Sequence, residues 1–311
     1  MMQNTNNIMM IRPFSFRYNH ETAINNYYQK ELRDLTDSQI HEKALQEFNS
    51  FVSLLESIGV NVIVIEDTNE HDTPDSIFPN NWISFHGNGR VTLYPMCAKN
   101  RRKERRKDIL TKLANEFNFE IREIKDLTFY EENEKFLEGT GSMVLDRENK
   151  ICYAAISIRT DKDLVRNFCK EFGYTSVCFT ANQNINGSRL PIYHTNVMMC
   201  IADHFVIICL DSIDNKDERN KIESILKESN KEIIEISEDQ KNQFAGNMLQ
   251  VIGSQPYLIM SDSAYNSLSD IQISKIEYYC PIISASLDTI ETCGGGSARC
   301  MMAEIFLPKR T

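Results

Sequence analysis

Long apolar runs are missing from this 311-residue sequence. No stretch approaches the roughly 18 consecutive apolar residues that a membrane span requires. The segment from Met1 to Ile11 also has no continuous apolar core of the kind that secretion signals contain. The sequence therefore predicts neither membrane insertion nor secretion.

An excess of basic residues is also missing. The chain has 34 Lys and Arg against 44 Asp and Glu, which gives a formal charge of −10. This balance argues against nucleic acid and anionic lipid as main partners, because both attract basic surfaces. A small neutral or cationic molecule is easier to accommodate. With 41% hydrophobic and 25% charged residues, the chain has the composition of a globular protein with a substantial core.

The cysteines do not have the pattern of a disulfide scaffold. Nine are present, an odd number with irregular spacing, and a chain of this length can bury a core without cross-links. We therefore predict a reducing, cytoplasmic compartment. Metal motifs are absent as well, with no CxxC pair, no HExxH and no Asp-rich calcium loop, and the glycine groups lack the spacing of a nucleotide fingerprint. We expect no metal and no cofactor.

Four segments share one order of predicted elements: two short strands joined by a polar turn, an amphipathic helix and a further short strand. The predicted helices span about residues 102–117, 162–172 and 216–229, and a fourth lies somewhere between residues 264 and 279. The predicted strands are 82–85, 91–94 and 119–124; 143–145, 151–156 and 174–179; 193–201, 205–210 and 232–236; and 248–252, 257–260 and 282–286. The copies recur every ~50 to 60 residues, a period found in repeat architectures.

A fifth copy is predicted from the two ends of the chain. A helix over 38–58 and a strand over 60–65 complete the repeat if a terminal strand within 299–307 pairs with residues 8–12. The sequence thus predicts an α/β fold in which five ββαβ repeats form a closed, pseudo-symmetric ring, which protects the sheet edges and leaves a central cavity. No linker interrupts the pattern, so we predict one domain over residues 1–311. The competing interpretation is an ordinary α/β or α+β protein with coincidental spacing.

The most unusual local stretch is the run of three glycines before Ser297, Ala298, Arg299 and Cys300. Successive glycines let the backbone approach a ligand closely, and a cysteine can be held at the end of the run. Cys300 is therefore the candidate nucleophile, with Arg299 as one nearby positive charge. The competing interpretation is a buried structural cysteine.

A nucleophilic cysteine needs a proton-transfer partner, and His194 is the histidine best placed to supply one. It opens a run predicted to be a strand, in which His194 and Asn196 share a face. The other five histidines lie in polar or turn-like segments. A satisfied structural histidine is the alternative, although Asn196 could orient a ligand or the ring.

Two further polar clusters border apolar runs. Glu138 stands against a flexible Gly-Thr-Gly loop, and Asp75 precedes a stretch that includes Phe78, Asn80 and Asn81. Either cluster could be a turn with local hydrogen bonds only. The basic run 101–107 opens a predicted helix, for which a solvated face is the simpler interpretation, although Arg101 or Arg102 could contact a substrate carboxylate.

Taken together, these motifs resemble the guanidine-modifying superfamily, which includes arginine deiminase, dimethylarginine dimethylaminohydrolase and the amidinotransferases. The resemblance implies a five-bladed α/β propeller, the pentein fold. It implies Cys300 as nucleophile, His194 as general acid and base, and Glu138 as the carboxylate that orients His194. It also implies that Arg159, in the Ser-Ile-Arg-Thr segment, binds the substrate α-carboxylate. On this basis Glu138 should favour a protonated His194, and the pair should favour a thiolate.

The departures from the family pattern point to the substrate. Asn80 and Asn81 stand where dimethylarginine hydrolases carry an acidic pair, and Asn196 stands where an aspartate is common. Amides suit a neutral ureido group, whereas acids suit a guanidinium. The pattern resembles the citrulline-utilisation branch most closely, which implies hydrolysis of citrulline to ornithine, ammonia and carbon dioxide. The expected substrate-binding residues are Asp75, Phe78, Asn80, Asn81, Arg159 and Asn196.

Two alternatives stay open from the sequence. One is a guanidine hydrolase or an amidinotransferase, in which Asp75 alone would compensate a cationic substrate. The other is a non-catalytic binding protein on the same propeller, although a scaffold would not need Cys300, His194, Glu138 and Arg159 together. A small amino-acid substrate is the expected partner, and homo-oligomerisation is left open.

Overall fold

The computed structural model describes residues 2–310, which form a mixed α/β fold. The helices are α1 (His20–Ala23), α2 (Asp37–Ser57), α3 (Lys107–Asn115), α4 (Gly139–Ser142), α5 (Lys162–Phe172), α6 (Lys216–Glu228), α7 (Glu238–Asn242), α8 (Asp262–Ser267), α9 (Asp270–Glu277) and α10 (Asp288–Gly294). Short 3-10 helices span Pro79–Asn81, Asn100–Glu104, Thr128–Asn133, Thr195–Val197 and Leu210–Ser212.

The strands are short. They are β1 (Asn7–Arg12), β2 (Asn61–Glu66), β3 (Ile83–Phe85), β4 (Arg90–Leu93), β5 (Glu123–Asp126), β6 (Val144–Asp146), β7 (Ile151–Ala155), β8 (Thr175–Phe179), β9 (Asn182–Ile185), β10 (Ser188–Pro191), β11 (Met199–Ile201), β12 (Phe205–Ile208), β13 (Glu232–Glu235), β14 (Leu249–Ile252), β15 (Pro256–Ser261), β16 (Ile282–Ala285) and β17 (Ala303–Glu304).

Within residues 2–310 these strands form five three-stranded sheets and one two-stranded hairpin. The sheet orders are β17-β1-β2, β3-β4-β5, β6-β7-β8, β11-β12-β13 and β14-β15-β16, with the hairpin β9-β10 outside them. In every three-stranded sheet the first pair is antiparallel and the second is parallel. A parallel pair needs a crossover, and helical segments supply it each time. The predicted ββαβ order is confirmed in all five sheets.

The two ends of the chain share one sheet, as predicted. β17 pairs antiparallel with β1, placing Ile8 opposite Glu304 and Met9 opposite Ala303. β1 then pairs parallel with β2 along its whole length, from Asn7 opposite Asn61 onward. β17 is therefore held beside β1, and this pairing also fixes the turn that precedes β17.

Local sequence signals account for the best-defined helices. α2 begins with a capping box made by Thr36 and Gln39. Asp161 caps the N-terminus of α5, where its side chain accepts two backbone N–H groups. Gly173 caps the C-terminus of α5 and has a φ of +71°, a conformation that glycine adopts without strain. The predicted range of α5 is confirmed residue for residue.

Several predicted elements are corrected by the structure. The strand predicted over 193–201 is limited to β11, because the residues before it turn as a 3-10 helix. The helix predicted over 102–117 is a 3-10 turn followed by α3, and the one predicted between residues 264 and 279 is split into α8 and α9. The strand predicted over 119–124 is β5, which begins at Glu123. Apolar periodicity marks buried positions, but it does not show where the backbone turns between them.

Buried residues fill the space between the sheets and their helices. One large apolar cluster joins the second, third and fourth repeats, from Val144 to Cys280, and another joins α2 and α10 with the terminal strands. All nine cysteines are free. Among residues 2–310 no helix is long and apolar enough to cross a membrane, and no cluster of three potential ligands could hold a metal ion.

Candidate active site

A small cavity is lined by most of the residues that the sequence singled out. Its lining comprises Asn26, Asp75, Phe78, Asn81, Arg101, Arg159, Tyr193, His194, Gly294, Gly295, Gly296 and Cys300. These residues come from segments far apart in the chain, mostly from turns that immediately precede the first strand of a sheet. Only the folded chain brings them together.

Cys300 is almost fully buried, with 3% of its surface exposed. Its backbone N–H donates to the carbonyl of Ser297 in a tight turn just before β17, which fixes the direction of the side chain. Two amide groups donate to its Sγ, Nδ2 of Asn247 at 3.2 Å and Nδ2 of Asn196 at 3.5 Å. The nucleophile predicted from the sequence thus lies at the cavity, between two hydrogen-bond donors.

The glycines before Cys300 are needed for close packing. A Cβ at Gly294 would lie 2.7 Å from the ring of Phe78, and one at Gly295 would lie 2.6 Å from Nδ2 of Asn26. Gly295 also has a φ of +62°, where a side chain would be strained. Only glycine fits these positions, because the backbone packs directly against Phe78 and Asn26.

His194 and Glu138 form a buried pair beside Cys300. Nε2 of His194 lies 2.8 Å from Oε2 of Glu138. The other carboxylate oxygen of Glu138 accepts the backbone N–H of Cys97 at 2.9 Å. Burial opposes ionisation of Glu138, but Arg159 and His194 together lower its pKa below the usual range. Glu138 therefore orients the imidazole as an ionised carboxylate.

Glu138 raises the pKa of His194, as expected from the sequence, but burial has the larger and opposite effect. Burial lowers the pKa of His194 to about 4, although the hydrogen bond that the imidazole donates to Glu138 acts in the opposite direction. The cations of Arg159 and Arg101 lower it further. A neutral imidazole is thus the form at neutral pH, and a neutral imidazole can accept a proton.

The loop that carries Glu138 depends on two glycines. Gly139 has a φ of +49°, and a Cβ there would lie 2.3 Å from the backbone carbonyl of Asn80. A Cβ at Gly141 would lie 2.5 Å from Nδ2 of Asn81 and 2.8 Å from Nδ1 of His194. The Gly-Thr-Gly sequence is therefore a requirement of packing in the site and not merely a flexible turn.

Arg159 and Asp75 are both held by the segment around α1. Nη2 of Arg159 donates to the backbone carbonyl of Thr22 at 3.0 Å, and Nε donates to Oδ1 of Asn25 at 2.8 Å. Oδ2 of Asp75 accepts from Asn19 at 2.7 Å and from Thr22 at 3.0 Å. Oδ1 of Asp75 has no partner within residues 2–310. Burial raises the pKa of Asp75.

The two adjacent amides differ in position. Asn81 lines the cavity and accepts a hydrogen bond from Nη1 of Arg101 at 2.7 Å. Asn80 is fully buried but does not line the cavity; its Nδ2 donates to Thr140 at 3.3 Å. Asn196 lies in a 3-10 turn, so the prediction that it shares a strand face with His194 is wrong, yet its amide still reaches Cys300.

The sequence favoured a solvated helix face for Arg101. In the structure Arg101 is instead buried at the cavity. Its guanidinium bonds to both carboxylate oxygens of Glu104, at 2.8 and 2.9 Å, and to the backbone carbonyl of Phe78 at 3.1 Å. Burial raises the pKa of Glu104 to about 7, with Arg101 opposing the shift. Only the spacing of an arginine three residues before a glutamate hinted at this pair.

Three other residues of the site went unnoticed in the sequence. Tyr193 stacks near Arg159 and donates its hydroxyl hydrogen to the carbonyl of Gly295 at 2.5 Å. Asn26 donates to the carbonyls of Gly294 and Gly295. Asn247 contacts Cys300, as described above. None of them lies in a motif, so no local signal distinguished them from other buried polar residues.

Comparison with known proteins agrees with this geometry. A sequence profile described as "N,N dimethylarginine dimethylhydrolase, eukaryotic" matches residues 12–307. No curated protein sequence matches the chain. Among solved structures, apo ArgZ, an arginine dihydrolase from the ornithine-ammonia cycle in cyanobacteria, is similar with a TM-score of 0.73 and 18% identity over 98% of this chain. This chain spans 41% of that ArgZ chain.

This chain covers two further solved structures almost completely. The N-terminal domain of ArgZ bound to substrate has a TM-score of 0.74 and 17% identity, over 96% of this chain and 97% of that one. A dimethylarginine dimethylaminohydrolase adduct with S-methyl-L-thiocitrulline has a TM-score of 0.65 and 14% identity, over 96% and 99%. At these identities the likeness establishes the fold.

The fold, together with Cys300 and His194 at the cavity and Glu138 beside them, is that of the guanidine-modifying superfamily. Within this class, the profile matches far more than half of the sequence. The chain therefore belongs to the N,N dimethylarginine dimethylhydrolase family.

Proposed function

We propose that this protein hydrolyses citrulline to ornithine, ammonia and carbon dioxide through a covalent adduct on Cys300. The charge of the cavity lining carries the proposal. Asp75 is the one carboxylate in the lining, and it is already engaged by Asn19 and Thr22. Two guanidinium groups, of Arg101 and Arg159, line the same cavity. A guanidinium substrate would add a third cation to this space, whereas a neutral ureido group would not.

The neutral state of His194 sets the order of proton transfers. His194 takes the thiol proton as the Cys300 sulfur forms a bond to the ureido carbon, and it then gives that proton to the nitrogen whose C–N bond breaks. Water attacks the resulting S-carbonyl adduct, releases the thiol and leaves a carbamate, which loses carbon dioxide. One citrulline and one water thus give one ornithine, one ammonia and one carbon dioxide.

Substrate orientation follows from the remaining lining residues. We assign the α-carboxylate to Arg159, which would exchange hydrogen bonds to Asn25 and Thr22 for a bidentate contact, and the ureido end to Asn81 and Asp75. Phe78 packs against the glycine wall and excludes water from the reacting carbon. Asn80 supports this arrangement from behind through Thr140.

The five sheets support a five-bladed propeller around this cavity as the architecture of the site. First strands of different sheets contact one another, β17 with β3, β6 with β11, and β11 with β14. Residues of the site precede the first strands of the sheets that begin with β3, β6, β11 and β17. A ring with the cavity at its axis accounts for both facts.

A guanidino hydrolase is the second candidate. The family profile favours it, and so does Asp75, whose Oδ1 has no partner within residues 2–310 and could accept from a cationic substrate. In that case Asp75 would be the residue that compensates the substrate charge, and arginine or a methylarginine would be turned over in place of citrulline.

The test is incubation of the protein with citrulline, arginine, methylarginines and agmatine, with ammonia and the amino-acid product both measured. We expect ornithine and ammonia from citrulline. Robust arginine hydrolysis without ornithine formation from citrulline would reject citrulline as substrate.

Mass spectrometry of acid-quenched mixtures tests the covalent step. We expect an adduct on Cys300 that is lost in Cys300→Ala and retained in Cys293→Ala, a matched buried cysteine outside the lining. Absence of any Cys300-dependent adduct or turnover with all these compounds would instead favour a binding protein.

A further inference from the structure

The fourth repeat places the polar side chain of Asn247 at the nucleophile, although no sequence motif indicated it. Asn247 stands two residues before β14, in the position from which the other repeats reach the cavity. It is fully buried, and its Nδ2 donates to Sγ of Cys300 at 3.2 Å, the shorter of the two amide contacts to that sulfur.

The orientation of the Asn247 amide is determined by a second contact. Nδ2 also donates to the backbone carbonyl of Asn196 at 2.9 Å. Because that carbonyl can only accept, a rotated amide would set two oxygens against each other. The nitrogen of Asn247 therefore faces the sulfur.

The backbone around Asn247 holds it against the turn that carries Asn196. The N–H of Asn247 donates to the carbonyl of Phe244 at 2.8 Å, which closes a tight turn after α7. A Cβ at Gly246 would lie 2.5 Å from the carbonyl of Val197, so this close approach requires glycine. Both amides near the sulfur thus belong to one rigid unit made by the third and fourth repeats.

Each of the two amides also leaves one acceptor without a partner. Oδ1 of Asn196 and Oδ1 of Asn247 are buried and have no hydrogen-bond partner within residues 2–310. Buried polar atoms are normally paired, and unpaired ones commonly lie where a ligand supplies the missing donor. A ureido group bonded at its carbon to Cys300 would carry N–H donors of the kind that these two oxygens lack.

We propose that Asn247 is a further catalytic residue of this site. Its N–H stabilises the negative charge that the Cys300 sulfur carries as it attacks, and its Oδ1, together with that of Asn196, accepts N–H groups from the nitrogen at the carbon under attack. The second half of this assignment rests on the proposed function, whereas the first half concerns only the sulfur.

The experiment measures the rate at which iodoacetamide alkylates Cys300, located by mass spectrometry of the intact chain and its peptides. Asn247→Leu removes the donor at similar volume, and Asn247→Asp replaces it with an acceptor. Asn4→Leu is the matched control, since Asn4 is also a buried, hydrogen-bonded amide but contacts Asp203 and Gln250 instead of the site. Circular dichroism and melting curves select the folded variants for comparison.

We expect alkylation of Cys300 at neutral pH to slow at least tenfold in both Asn247 variants and to stay within twofold of the native rate in Asn4→Leu. A native rate in either folded Asn247 variant would overturn the proposal. This arm needs no substrate, so it separates the failure of this assignment from the failure of the proposed function.

Steady-state kinetics with citrulline provide the second readout. We expect kcat to fall at least tenfold in Asn247→Leu with KM changed by less than threefold, because the contacts act on the reacting atoms and not on the distant carboxylate. A rise in KM with an unchanged kcat would contradict the assignment.

Discussion

Replacing Arg101 by methionine tests whether the buried charges behind the cavity act as one unit. The guanidinium bonds to Glu104 through both oxygens, to Oδ1 of Asn81 and to the carbonyl of Phe78, and it lies 3.9 Å from Asp75. Arg101→Met leaves a buried carboxylate without its cation and two neutral acceptors without a donor. Breaking a buried pair by removing one partner costs about 3–5 kcal/mol.

We therefore expect the free energy of unfolding to fall by about 4 kcal/mol near neutral pH. For a chain of this length, that loss corresponds to a decrease in Tm of about 6 °C. Urea unfolding followed by tryptophan fluorescence can measure it, since Trp82 is buried next to the same turn.

The pH dependence gives the sharper test. Burial raises the pKa of Glu104 to about 7, and Arg101 is the group that opposes this shift. Without Arg101 the folded-state pKa rises further, so the cost of ionising Glu104 accumulates as pH rises above its unfolded value of about 4.5. The loss should therefore be smaller near pH 5 than near pH 8.

The double variant Arg101→Met with Glu104→Leu is the matched control. Removing both charges of a buried pair is often nearly neutral, so the double variant should recover at least half of the lost stability. A loss below about 1 kcal/mol in the single variant, or a double variant no more stable than the single one, would refute the reasoning.

Two further predictions concern the site, and a third concerns the pH dependence of stability. Gly141→Ala should reduce kcat at least a hundredfold in steady-state assays, because a Cβ would lie 2.8 Å from Nδ1 of His194; an active variant would contradict the packing argument. Arg159→Lys should raise KM at least tenfold, because an ammonium cannot form the bidentate contact with a carboxylate, and an unchanged KM would exclude that role. Burial raises the pKa of Glu291 to about 7, so the native protein should lose up to about 3 kcal/mol between about pH 5 and pH 8 from this group. Glu291→Gln should remove that part of the pH dependence in urea unfolding, and an identical dependence in both proteins would rule out this account.

The order of elements was accessible in the sequence because it depends on local chemistry. Apolar spacing and capping residues define a helix such as α5 within a dozen residues, and the glycine run marked the turn that carries Cys300. Strand pairing of β1 with β17 could be predicted because the repeat pattern lacked one strand. The strand predicted around His194 was wrong because burial in a turn produces the same apolar pattern as burial in a strand.

Residue type and motif were enough to propose Cys300 and His194, since few side chains can attack carbon or move a proton, and the resemblance to a known family added the roles of Glu138 and Arg159. The protonation state of His194 could not be predicted in this way, because it depends on burial and on the charges of Arg159 and Arg101, which act only in the folded chain. The same holds for Arg101 and Asn247, which look like ordinary surface and turn residues until the sheets assemble. Local sequence specifies which groups are present, whereas distances across five separate repeats, and the removal of water between them, exist only after folding.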